Sequence, residues 1–228
     1  MSSFLPCPPA PSAPTLYSPL PYSLNHPILE QSFAVIDREI GSHAFTPAEY
    51  AIVRRVIHSS ADFEFKELIR FSPDAIAGVV QALQQGVPIV VDVNMVKQGI
   101  LSVVNRTFKN PIVVAVDRAE TALPGKTRTE TGLLSCWEEF PGAVYVIGNA
   151  PTALLALCDR VNHASAGTPV PPLVIGAPVG FISVVESKAV LAQTHVPQIR
   201  IEGRKGGSAI AAAILNALLI LAWEAVNP

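Results

Sequence analysis

Residues 54 to 62 read Arg-Arg-Val-Ile-His-Ser-Ser-Ala-Asp, which sets one imidazole where an apolar-periodic run gives way to small polar residues. Histidine is the side chain whose ordinary pKa lets it both give and take a proton near neutrality. Ile52, Val53, Val56 and Ile57 recur at the spacing of a helix that buries one face, so the segment predicts a helix ending near His58. On that helix Arg54 and Arg55 stand four and three positions before the histidine, and both can lie beside it. Ser59 and Ser60, with Asp62 three residues after Ser59, read as the cap of a following helix. Acid–base chemistry beside a pair of anion-binding guanidiniums is what these residue types allow. The plainer reading, a helix-terminal histidine favoured by the dipole, stands on the same residues.

The other chemistry-bearing residues are less concentrated. His26, His43, His163 and His195 sit beside prolines, glycines or other loop residues without metal-ligand spacing, and are read as surface residues. Cys7, Cys136 and Cys158 are scattered and odd in number, which suggests a reducing, cytoplasmic compartment and neither zinc nor iron–sulfur binding. A net charge of −2 with no basic stripe argues against a general nucleic-acid binder.

Helix and strand signals alternate along most of the chain. Ser72-Pro73 opens a helix that Gly86 stops; VPIVVDV, NPIVVAVD, GAVYVIG, PPLVIG and VPQIRI follow as short apolar runs, with helices between them near 95–101, 128–139, 151–161 and 184–193. About five buried strands joined by helices predict an α/β fold with a doubly wound, mostly parallel sheet, preceded by N-terminal helices. In such sheets ligands bind beyond the carboxyl ends of the strands. Those ends carry Asp92-Val93-Asn94, Asp117-Arg118, Gly148-Asn149-Ala150-Pro151-Thr152, Gly176-Ala177-Pro178 and Glu202-Gly203-Arg204-Lys205-Gly206-Gly207. Glycine turns that open helices suit anions, because backbone N–H groups and the positive dipole end converge there. No GxGxxG or GxxxxGK[ST] turn follows any strand, which disfavours a nucleotide-dependent enzyme.

Two segments stand apart. Residues 1–25 are rich in proline and serine and uncharged, and read as a flexible or polyproline-like extension ahead of a single domain at 26–228. Residues 208–223, SAIAAAILNALLILAW, would span roughly 24 Å as a helix. That is short for a hydrocarbon core, and Asn216 interrupts the run, so a buried helix is expected rather than a membrane span.

The blocks SFAVI from Ser32, VRRVIHSSAD, DVNMVKQGI, VIGNAPTAL, IGAPVGFISVVESK and GRKGGSAIAAAILNAL, spread over about residues 28–219, together resemble precorrin-8X methylmutase, the precorrin isomerase of corrin biosynthesis. The resemblance implies a cofactor-free isomerase with a three-layer α/β fold, a homodimer with its active site near the subunit interface. It implies a methyl shift from C-11 to C-12 of precorrin-8 or cobalt-precorrin-8, giving hydrogenobyrinate or cobyrinate. The family's proton-transferring histidine falls on His58, its substrate-contacting serine on Ser32 and an arginine on Arg55; Arg128 matches a further substrate-contacting arginine. Where the family often carries glycine after the histidine's small neighbours, this chain has Ala61.

A polycarboxylate ligand directs attention to cations and helix starts. Arg55, Arg128, Lys188, Arg204 and Lys205 are candidates for its carboxylates, with solvated surface charge as the bland alternative for the last three. Asn149, Thr152, Gly206 and Gly207 are expected to contact substrate from the turns, and Ser32, Asn149 and Thr152 are equally readable as helix caps. A tetrapyrrole carrier without catalysis would keep the turns and arginines but would not need His58.

Overall fold

The structure, a computed structural model, describes residues 26–227; the expected extension at 1–25 lies outside them. Two helices come first. α1 (Pro27–Glu39) and α2 (Pro47–Ser60) are joined by a short loop, and α2 opens on a full capping box in which Thr46 and Glu49 satisfy each other's backbone N–H groups. A one-turn helix α3 (Phe65–Leu68) then runs straight into β1 (Ile69–Phe71). Beyond it helices and strands alternate: α4 (Ala75–Gln84), β2 (Ile89–Val91), α5 (Asn94–Arg106), β3 (Ile112–Val114), α6 (Arg128–Glu139), β4 (Val144–Ile147), α7 (Pro151–Asn162), β5 (Val174–Gly176), α8 (Val184–Gln193), β6 (Gln198–Ile201) and α9 (Ser208–Glu224).

The strand order is β1-β6-β5-β4-β2-β3, parallel throughout except for β1, which runs antiparallel to β6 with Ile69 opposite Ile201. β1 is one strand more than the apolar runs indicated. Three residues, one of them Arg70, carry too little alternation to read as a strand. Arg70 also blunts the free edge, donating to the carbonyls of Glu67 and Ile69 at 2.8 and 2.9 Å.

Alternating side chains divide the core in two. Ile89, Val91, Val144, Val146 and Ile175 join α2, α4, α5 and α9 on one face of the sheet, whereas Val90, Tyr145, Ile147 and Val174 join α6, α7 and α8 on the other. The three expected layers are present. α9 lies against the sheet and under α2, α4 and α5, which is why it is apolar all round. Gly99 of α5 meets it so closely that a Cβ there would stand 2.7 Å from the Ala212 Cβ, and Asn216 donates to the Gly99 carbonyl at 2.9 Å. Among the described residues no helix is long and apolar enough to cross a membrane.

One helix start differs from its expected form. α4 begins at Ala75, two residues beyond Pro73, and the Ser72 hydroxyl accepts from the Gln198 N–H at 2.8 Å instead of capping the helix. Gln198, the first residue of β6, thereby gains an acceptor just beyond the end of β1, and the chain enters α4 through Asp74 in the left-handed conformation (φ 58°).

Candidate active site

His58 occupies the last turn of α2 and is exposed, while its neighbours Val56 and Ile57 are buried against the core. Its Nδ1 lies 2.8 Å from the Ser32 hydroxyl oxygen on α1. Ser32 therefore does not cap α1. The helix starts five residues earlier than Ser32, at Pro27, with the His26 ring accepting from the Ile28 N–H at 3.2 Å, so Ser32 sits mid-helix and points across to α2. With Nδ1 engaged by Ser32, Nε2 is the ring atom left for a ligand. In the neutral ring protonated on Nε2 the hydroxyl donates to Nδ1; in the imidazolium Nδ1–H donates to the hydroxyl.

Ser59 and Ser60 do not cap a following helix either. Both hydroxyls donate back to the Val56 carbonyl at 2.9 Å, closing the last turn of α2. The chain then reverses at Ala61 in the left-handed conformation (φ 53°), and the Asp62 carboxylate accepts from the Glu64 N–H at 2.9 Å. The reversal needs φ > 0, a position at which glycine is the least strained residue.

Phe33, beside Ser32, braces the histidine. Its ring meets His58 edge-on at 5.7 Å, with the Arg54 guanidinium 4.3 Å and the Arg55 guanidinium 5.7 Å from its centre. The two arginines are not equivalent. Arg54 is held 3.1 Å from Asp37, which also accepts from the Tyr50 hydroxyl, so it belongs to the α1–α2 contact rather than to the imidazole. Burial and the Asp37 carboxylate push Tyr50 up to about 12. Arg55 is the guanidinium whose charge reaches His58: partial burial first, and then Arg55, hold the imidazole below its ordinary value of 6.5. Arg55 is itself lowered by burial and by Arg54, against the opposing pull of Glu224.

The strand ends hold the remaining expected site residues, and the structure assigns several of them to architecture. Asp92, fully buried beyond β2, accepts from the N–H groups of Asn149 at 2.6 Å, Ala150 at 2.8 Å and Val93 at 3.0 Å, with Gly148 also contributing. The protein's own carboxylate thus stands where the turn ahead of α7 was expected to receive a ligand anion. Burial pushes that carboxyl up while the four amides pull it down. Asn149 is exposed but is not a cap: α7 starts after Ala150 with no side-chain capping bond. Thr152 is not a cap either, its hydroxyl lying 2.9 Å from that of Thr127, the residue that caps α6. Arg128 uses its guanidinium on the carbonyls of Ala119 and Val116, both at 3.2 Å, and so steadies the 115–119 turn.

Lys188 departs furthest from the reading of a ligand-facing or solvated cation. It is 2% exposed, its ammonium donates to the carbonyls of Gly203 at 2.8 Å and Lys205 at 2.7 Å, and burial lowers it to about 8. Gly206 is required where it stands, since a Cβ would come within 2.4 Å of the Ala177 carbonyl oxygen, and the Gly207 N–H donates to that same oxygen at 2.7 Å. Glu186 lies exposed in the first turn of α8.

The structure therefore brings Ser32, Arg55 and His58 together on α1 and α2, and places Arg128, Asn149 and Thr152 around the ends of β2, β3 and β4. Thr152 lines a groove of about 500 Å³ between α6 and α7. His58 lines neither that groove nor one of about 460 Å³ beside β1. Its side chain is exposed. Sequence reasoning passed over Phe33, whose neighbour Ser32 was the signal, and placed Asp92 at a strand end without showing its role, which depends on a contact 57 residues away. His26, His43, His163 and His195 are all exposed, as expected, and among the described residues no cluster of three or more His, Cys, Asp or Glu is placed to hold a metal ion.

Comparisons with known proteins agree with one another. The family model of precorrin-8X methylmutase matches residues 27–221. The chain is similar to the cobalt-precorrin-8 methylmutase of Synechocystis, 57% identical over 215 residues that make up 88% of this chain and 98% of that protein. It is similar to the precorrin-8X methylmutase of Pseudomonas aeruginosa at 40% identity, over 84% of this chain and 93% of that one. Among solved structures, the precorrin-8X methylmutase of Thermus thermophilus superposes with a TM-score of 0.78 at 41% identity, covering 87% of this chain and 98% of its own.

Proposed function

The chain belongs to the precorrin-8X methylmutase family, isomerases of cobalamin biosynthesis, and from that premise we propose that it moves a methyl group from C-11 to C-12 of precorrin-8 or cobalt-precorrin-8 with His58 as acid and base. The observation that carries this reading is the 2.8 Å contact between Ser32 and Nδ1 of the exposed His58, which orients the ring and leaves Nε2 as the nitrogen for a ligand.

The chemistry fits one titratable group. The C-11–methyl bond breaks as the C-12–methyl bond forms, and the methyl never leaves the substrate, so the step consumes no methyl donor and no redox equivalent. What it needs is electron demand in the conjugated ring. Proton transfer or strong hydrogen bonding from Nε2–H to a pyrrole-type nitrogen supplies that demand, and the proton returns to Nε2 once the methyl has moved. Ser32 serves both states, as acceptor for the imidazolium and donor to the neutral ring.

Arg55 links binding to this proton. In the free protein partial burial, and then the Arg55 charge, hold the imidazole below its ordinary value and so favour the neutral ring. A substrate carboxylate on Arg55 cancels part of that charge and raises the imidazole towards the range where it is an effective acid. Ser32 and Arg55 are thus substrate contacts as well as partners of His58. Arg128, Asn149, Thr152 and the Gly206-Gly207 turn are proposed as the strand-end substrate contacts beside the internal bonds they make, whereas the buried Lys188 acts through the backbone it holds.

His58 is exposed, and a second copy of the chain is the element proposed to cover the site. Val179, Phe181, Ile182 and Val185, around the start of α8, offer apolar surface for such a homodimer, Phe181 and Ile182 being 83% and 81% exposed.

The test is incubation of catalytic amounts of purified protein with precorrin-8 and, separately, its cobalt form. The corrin spectrum should replace that of the substrate over many turnovers. A change only at stoichiometric protein would identify a carrier instead.

A further inference from the structure

The loop between β6 and α9, residues 202–207, is held from inside and from outside. On the inside, the buried Lys188 ammonium takes the carbonyls of Gly203 and Lys205 at 2.8 and 2.7 Å. A lysine that is 2% exposed and rests on carbonyl dipoles is a costly arrangement that an apolar side chain would avoid. It is placed on a segment that has most to lose without it, since Gly203, Gly206 and Gly207 all stand at positive φ and leave the backbone little stiffness of its own. On the outside, the Lys205 side chain leaves the loop for the end of α2, reaching Asp62 at 2.5 Å and Glu64 at 2.7 Å. Those carboxylates follow His58 by four and six residues. The pairing is strong enough to hold the Asp62 carboxyl below the usual carboxylate range. Further bonds anchor the loop: Arg70 of β1 meets Glu202 at 2.9 Å, and the N–H of Gly180, in the loop between β5 and α8, donates to the Arg204 carbonyl at 3.2 Å.

We propose that Lys188 and Lys205 are positioning residues for His58: Lys188 sets the backbone of the 203–207 loop, and Lys205 carries that setting across to Asp62 and Glu64 and so to the end of the helix that bears the histidine. The inference rests on the proposed catalytic role of His58. It concerns a line of contacts, Lys188 ammonium to Lys205 carbonyl and Lys205 ammonium to Asp62 and Glu64, that joins α8 through the 203–207 loop to the segment that follows the histidine's helix. Neither lysine needs to touch substrate.

The experiment is a set of kinetic comparisons on the full chain, with melting temperature recorded for each variant. Lys205→Met should lower kcat about tenfold while KM stays within about twofold, because misplacement by a fraction of an ångström reduces rate before it reduces binding. Lys205→Arg, which keeps a cation between Asp62 and Glu64, should restore most of kcat. Lys188→Met should move kcat in the same direction by up to about 10²-fold; should it fail to fold, the Lys205 variants decide alone. In single turnover on a His58→Ala background, Lys205→Met should cause no further loss. An unchanged kcat in Lys205→Met, a loss confined to KM, or an equal loss with and without His58 would each overturn the inference. A wild-type rate in His58→Ala alone would remove the assignment of His58 and this inference with it. A lost rate there beside an unchanged Lys205→Met would remove only the inference.

Discussion

Asp92 and His58 are both titratable side chains at the end of a secondary-structure element, and the protein treats them in opposite ways. Asp92 is fully buried with four amide donors around its carboxylate; His58 is exposed, with its Nδ1 bonded to Ser32. Lys188 follows Asp92, its ammonium spent on two carbonyls. Saturation by the chain's own backbone marks a charge that builds the site's frame. A proton-transfer group needs an atom the fold has not used. The strand ends of this sheet, where α/β proteins commonly keep their chemistry, thus supply much of the frame, and the helical layer beside them carries the exposed imidazole proposed as the acid.

This contrast separates loss of stability from loss of rate. The largest expected effect on stability is that of Asp92→Ala, which leaves the amides of Val93, Asn149 and Ala150 without their acceptor and should cost about 3–5 kcal/mol of unfolding free energy in a urea titration. A loss below about 1 kcal/mol would break the contrast from the side of the frame.

Arg55→Ala tests the other side. Loss of a charge-assisted contact to a substrate carboxylate should raise KM by the equivalent of about 1.5–3 kcal/mol, with a smaller change in kcat. The same variant should raise the midpoint of the His58 imidazole in an NMR titration, because the guanidinium that disfavours the imidazolium is gone. A lowered midpoint would reverse the electrostatic reading. The smallest effect is expected at Ala61, whose left-handed backbone suits glycine: Ala61→Gly should gain about 0.5–1 kcal/mol of stability by relief of that strain, net of glycine's entropy.

Ala61 also shows how much the sequence discloses. The departure from glycine there is visible in the residues, but its cost becomes interpretable only once φ is known. The helix bearing His58 and the five apolar strands were legible because their periodicity follows directly from which face is buried. β1 was not, since three residues leave no period to read. Ser32 was found through the family blocks, while its local pattern pointed wrongly to a cap; the helix had already begun on His26 and Pro27. Glycine turns correctly marked the strand ends, yet composition could not reveal that a carboxylate 57 residues away already filled one of them. For Lys188 the same limit applies: a lysine in the helical segment ESK reads as a surface charge, and only tertiary packing turns it inward.

The sharpest test of His58 as the acid is single-turnover conversion of precorrin-8 by His58→Ala, with corrin product affinity and melting temperature measured on the same preparation. Methyl migration should slow by about 10²–10⁴-fold while affinity and stability stay close to wild type, because the imidazole is exposed and carries chemistry rather than packing. Conversion at the wild-type rate would place the acid elsewhere and contradict a catalytic role for the contact between Ser32 and His58.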